Sequence, residues 1–234
     1  MLRKKRDRTE PESEQPEDEV VTEELADEAE DDPGEEYDRS AGPFDLSEVD
    51  EPDAEAAERL DLGCVQVPLL DGLEVRVEVD PDTERPAAIT FVRSEGAVQI
   101  QVFAGRKSGG GWDEARSDIS RSLTNDGGLV DEQEGRFGTE LYGTAYFTDE
   151  DGDQIEQRMR FVGVDGPRWM IRGVLLGAGA VPEDAAPLEE VFCSLVIVRG
   201  DAAVPPGTPL EITLPEQVPD AAEMVDEDDE DDED

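Results

Sequence analysis

The chain contains no histidine, and that absence excludes more chemistry than any other feature of its 234 residues. Without imidazole there is no Ser-His or Cys-His nucleophile pair, no imidazole metal ligand, and no commonplace general base at neutral pH. Cysteine is almost as scarce. Cys64 and Cys193 are too few for a disulfide scaffold, and with no C-x-x-C spacing they give no support to a zinc or redox centre. No cofactor is expected. Long apolar runs are missing too. Nothing approaches the roughly 18 residues of a membrane-spanning helix, and no apolar stretch follows the basic start as it would in a secretory signal. The expected address is therefore the cytoplasm. Positive charge is short: 20 Lys and Arg stand against 64 Asp and Glu, a net charge of −44 that opposes direct nucleic-acid binding by the folded part.

The acids are concentrated at the ends. Met1 to Glu58 holds 24 Asp and Glu against 6 Lys and Arg, and Glu216 to Asp234 holds 12 acids and no base. Such blocks repel themselves and bury little apolar surface, so residues 1–59 and 201–234 are expected to be disordered acidic segments around one domain at 60–200. The basic start "MLRKKRDR" reads as a solubilising bias. Inside the N-terminal arm, "GPFDLSEVDEP" places Phe44, Leu46 and Val49 in an acidic background, a pattern that points to docking onto the chain's own domain or onto another protein.

Within the domain, period-two alternation predicts strands at Leu73–Val79, Ala87–Arg93 and Ala97–Ala104. "WDEARSDISRSLTND" then puts Trp112, Ala115, Ile119 and Leu123 on one helical stripe, with acids in the first turn and Asn125 to Gly128 as a stop. Strands resume in "GLVDEQEG", Gly138–Thr148, Gln154–Val164 and Arg168–Gly177. A second helix begins at Pro187, and "VIVRG" suggests a short edge strand. The order β-β-β-α-β-β-β-β-α predicts an α+β fold: a single twisted antiparallel sheet of six or seven strands carrying two amphipathic helices.

Two motifs suggest ligand sites and fall short. "TDEDGDQIE" lacks the glycine and glutamate spacing of a calcium loop and reads as an acidic hairpin turn. "GRKSGGGW" places Arg106 and Lys107 beside a glycine-rich helix start, as a phosphate cradle would, but lacks the G-K-[ST] ending, and Asp113 and Glu114 contest the helix mouth.

The arginines Arg158, Arg160, Arg168 and Arg172, clustered around "VDGP", pose the sharper question. A three-residue loop at Asp165-Gly166-Pro167 would turn Met159, Phe161, Trp169 and Ile171 together into a core, and the four arginines together onto the opposite face. A two-residue loop would instead mix arginine with Trp169 and bury charge without partners, so the three-residue loop is expected. The arginine face is then either a solvated sheet surface or a shallow cationic patch for an anionic ligand or an acidic segment.

"GPFDLSEVD", "FGTELYG", "RFVGVDGPRWMIRGVLLG" and "PLEEVFCSLVIVRGD" resemble an actinobacterial family of uncharacterised proteins, domain of unknown function 3710, over about Gly42 to Val198. The strand–helix order is also similar to Mog1/PsbP-like domains. The resemblance implies a cytoplasmic protein with variable acidic ends and supplies no catalytic residue. The functional expectation is a non-enzymatic interaction or adaptor module for a protein partner, a basic one, with Phe44, Leu46, Val49 and the four arginines as its contacts. Two alternatives stand beside it: a small-ligand binder with a pocket between sheet and helix near Trp112 and Trp169, and a nucleic-acid mimic.

Overall fold

The computed structural model describes residues 37–49, 59–148 and 152–214. The acidic segments 1–36 and 215–234, expected to be disordered, lie outside the described residues, as do 50–58 and the turn residues 149–151. In chain order the elements are β1 (Phe44–Asp45), β2 (Arg59–Asp61), β3 (Val65–Pro68), β4 (Glu74–Val79), β5 (Pro86–Arg93), β6 (Gly96–Ala104), α1 (Gly111–Asn125), β7 (Leu129–Gly135), β8 (Gly138–Thr148), β9 (Gln154–Gly166), β10 (Trp169–Gly177), α2 (Ala186–Cys193) and β11 (Val196–Ile197).

Seven strands form an antiparallel sheet in the order β4-β5-β6-β10-β9-β8-β7. The alternation in "AVQIQVFA" is read out directly, because Val98, Ile100 and Val102 are buried on one face while Gln99 and Gln101 lie on the other. That first face carries the main core: Ile89, Phe91, Val98, Ile100, Val162, Val164, Trp169, Ile171 and Leu175 pack against Leu188, Val191 and Phe192 of α2. Each such side chain contributes about 1.5–3 kcal/mol through burial. The opposite face carries a second cluster, Trp112, Leu141, Phe161 and Met170, roofed by Ala115, Ile119 and Leu123 of α1. The two helices thus lie on opposite faces of the large sheet.

A second sheet, β1-β11-β3-β2, was not expected. "VIVRG" does supply a strand, β11, but it pairs with β1 and β3 rather than at an edge of the large sheet. The folded part is also wider than residues 60–200. Phe44 pairs in parallel with Val196. At the far end residues 207–210 bond to the stretch of β6 that β5 no longer accompanies: Gly207 N–H to Ala104 (2.8 Å), Ala104 N–H to Thr208 (2.9 Å) and Leu210 N–H to Val102 (2.8 Å).

The β9–β10 register differs from the expectation. Trp169 pairs with Gly166, Ile171 with Val164, Val174 with Phe161 and Leu175 with Arg160, so the loop is two residues, Pro167 and Arg168. Pro167 presets the first turn position and Arg168 takes φ 65° at the second, the combination a type II turn requires. Arg160 consequently shares the face of Trp169, while Phe161 shares that of Arg172. Mixing charge with the core is tolerated because the buried charge does have partners.

Candidate functional site

Arg160 is 1% exposed and lies in a closed set of ionic contacts. Its Nε and one terminal nitrogen donate to the two oxygens of Glu140 on β8 (2.6 and 2.9 Å), and its other terminal nitrogen donates to Glu189 on α2 (2.6 Å). Glu189 also accepts from Arg136 (3.1 Å), and Glu140 accepts from the Phe137 N–H (3.0 Å) and the Tyr142 hydroxyl (3.2 Å). Two arginines and two glutamates balance. Burial alone would push the Arg160 guanidinium down, but the hydrogen bonds and charge of Glu140, then the bond to Glu189, reverse this and hold it above the ordinary arginine range. A Cβ on Gly135 would meet the Glu140 carboxyl at 2.3 Å, so glycine there makes room for the acid. Each of the three guanidinium nitrogens of Arg160 is bonded to a carboxylate of the protein itself.

The other three arginines do not join it. Arg158 is exposed and bonded to Glu156 (2.9 Å). Arg168 sits exposed at the turn. Arg172, on the α1 face, bonds to Gln101 and lies over the Phe103 ring at 5.4 Å, with burial holding its pKa down. The four therefore build no common cationic surface.

The arm residues divide as well. Phe44 is drawn into the second sheet, whereas Leu46 and Val49 remain 46% and 37% exposed. The anchoring residue is one the sequence did not single out: Asp45, buried between them, accepts from the Trp169 indole N–H at 2.7 Å. Arg39 stacks over the same indole at 5.3 Å and forks onto Glu48 (2.6 and 3.1 Å). Tyr37 packs edge-on against Phe137.

At the glycine-rich helix start, the position a phosphate would take is filled by Asp165. Its two oxygens accept from the Gly111 and Trp112 N–H groups, both at 3.0 Å. Trp112 lies flat on Gly163, where a Cβ would meet the indole at 2.1 Å, and donates to the Thr139 carbonyl (2.8 Å). Trp112 and Trp169 lie on opposite faces of the sheet, each in its own packed cluster. Both thiols are buried, and burial pushes Cys64 up to about 12 and Cys193 upward as well, the reverse of what a nucleophile needs.

A further exposed feature among the described residues is the outer end of the β8–β9 hairpin. β7 leaves β8 at the Leu129–Thr144 pair, and β10 leaves β9 at the Leu176–Met159 pair. Four further pairs continue with no other described strand beside them, from Ala145–Gln157 to Thr148–Gln154. On this ribbon Phe147 and Ile155 face each other and are 50% and 48% exposed, and Tyr146 on the other face is 40% exposed. A two-stranded ribbon is marginal by itself in water, and bare strand edges are what most sheets hide. At its base a groove of about 250 Å3 is lined by Leu129, Asp131, Tyr142, Thr144, Arg158 and Ala180 among others. Sequence reading missed the ribbon. The available signal was the adjacent pair Tyr146-Phe147, which places an aromatic on each face of one strand.

Comparison with known proteins gives little functional guidance. No functionally curated protein matches the chain. A crystal structure of a protein from Bacteroides thetaiotaomicron VPI-5482 is 16% identical, spanning 61% of this chain and 48% of that one, at a TM-score of 0.32. Among the described residues no helix is long and apolar enough to cross a membrane. Residues 42–221 match the model of a family described as "Protein of unknown function (DUF3710)", and the chain belongs to that family.

Proposed function

We propose that this protein is a non-enzymatic interaction module: a rigid sheet, stapled from within by the Arg160 cluster, that presents the β8–β9 ribbon to a protein partner. One observation carries the reading. The ribbon runs four residue pairs past both neighbouring strands with Phe147, Ile155 and Tyr146 exposed. Exposed apolar side chains beside unpaired backbone are the usual substance of strand-mediated recognition. The described titratable groups fit a scaffold better than a reaction centre, since Arg160 is bonded to Glu140 and Glu189, Asp45 to the Trp169 indole and Asp165 to the start of α1. The strongly acidic ends, outside the described residues, would draw basic partners toward the ribbon over long range. Affinity capture tests this with three forms of the chain: full length, Phe147→Ser/Ile155→Ser, and one lacking residues 215–234. A partner held by the full chain and lost from the ribbon variant supports the reading. Equal capture by all three contradicts it.

A further inference from the structure

We infer that the free edge of β9 at residues 154–158 is a strand-addition site for an extended segment of a partner protein in which basic and apolar residues alternate. This rests on the interaction reading above and adds to it the edge used and the chemistry of the partner.

Among the described residues the edge is open to strand pairing because β10 stops at the Leu176–Met159 pair and the chain leaves the strand at Gly177, whose φ is 59°, into the turn Ala178–Ala180, which packs against β9 near its Arg158 end. Among the described residues no strand lies beside 154–158 on that side. The backbone there is already held extended by β8, so a guest strand would order only itself. Side chains alternate along the edge. Ile155 and Gln157 lie on the face that also carries Phe147, while Gln154, Glu156 and Arg158 lie on the face of Tyr146. An added strand would mirror that alternation, with one row against Phe147 and Ile155 and the other toward the polar face.

Charge decides between the possible guests. Arg158 and Glu156 neutralise each other. Asp131 in the groove bonds to the neutral Gln133 amide (2.7 Å) and is in no ion pair among the described residues. With a net charge of −44 on the whole chain, a second copy or an acidic peptide is repelled and a basic segment is attracted. The groove at the ribbon's base, lined by Arg158 of β9 and Asp131 of β7, opens on the face of Tyr146, so a basic row on that face of the guest would lie on the same side of the sheet as Asp131.

Hydrogen exchange on the full chain tests this, using as probes a ten-residue peptide alternating Lys with Val and its counterpart alternating Glu with Val. The inference expects the Lys peptide to slow exchange at residues 154–158 by at least about tenfold at physiological salt, and the Glu peptide to leave it unchanged. Phe147→Ser/Ile155→Ser should weaken Lys-peptide binding by about tenfold or more. Protection elsewhere, or binding that the ribbon variant keeps but deletion of 215–234 removes, overturns the edge assignment while the interaction reading stands. Equal protection by both peptides overturns the basic partner. No binding of the Lys peptide overturns the inference outright, and the interaction reading is then judged by affinity capture alone.

Discussion

Replacing Arg160 with Met would leave the Glu140 carboxylate, which is 0% exposed, without its only cationic partner among the described residues. What remains is the Phe137 N–H and the Tyr142 hydroxyl, two neutral donors for a buried charge. Breaking a buried ion pair from one side costs about 3–5 kcal/mol. For a domain of this size, each kcal/mol lowers Tm by about 2–4 °C, so the expected drop is roughly 6–20 °C. In the unsubstituted protein the contribution of the guanidinium itself should not follow pH in the neutral range. The folded guanidinium is held above its ordinary value, so its contribution is complete below the unfolded arginine pKa and disappears only as pH rises through the folded one, far above neutrality. Removing both charges together, Arg160→Met with Glu140→Leu, leaves no orphan at that pair and should recover much of the loss. Urea unfolding followed by far-UV circular dichroism measures all three proteins. A single Arg160→Met costing under about 1 kcal/mol, or a double variant no better than the single, would refute the buried-cluster argument.

Further outcomes follow from other contacts. Gly163→Ala must displace the Trp112 indole and should cost about 1–3 kcal/mol with a change in tryptophan fluorescence; unchanged emission and stability would contradict the packing. Asp45→Ala removes the acceptor for the Trp169 N–H. Burial raises the Asp45 pKa, but the bonds from Ser47 and Trp169 outweigh it and hold it low. Its contribution is thus present above the unfolded value near pH 4 and fades as pH falls through the folded one, so the penalty of the variant should be constant at pH 5–8 and shrink in stronger acid. With thiol pKa values raised by burial, Cys64 and Cys193 should resist a disulfide reagent at pH 8 until denaturant is added; rapid stoichiometric reaction of the folded protein would contradict their placement.

The legible parts of this fold are those where one face of an element is wet. Gly96–Ala104 alternates because one row meets α2 and the other is polar, and the α1 stripe is apolar because only that side touches the sheet. The second sheet was invisible because its strands run two to four residues, too short for a local period to mark them, and β1 and β3 meet β11 only across most of the chain, Phe44 with Val196 for instance. Arg160 was misplaced for a related reason. Its partners Glu140 and Glu189 lie 20 and 29 positions away, on another strand and on a helix, and one sequence gives no sign that they converge. Once they do, a charge can face the core, and the rule that kept arginine out of it no longer selects the loop length. For the site, Phe44 was marked as a contact and lies in β1 of the second sheet, while Tyr146, Phe147 and Ile155 passed as ordinary strand residues because sequence alone does not show where neighbouring strands stop.

The most direct measurement is photo-crosslinking in living cells, with a benzophenone amino acid placed at Phe147 in the full-length protein and, as a control, at Arg76 on the exposed outer strand β4. A discrete protein adduct from position 147 and none from position 76 is the predicted result. Adducts from 76 with none from 147 would show that the ribbon is not where this protein meets its partner.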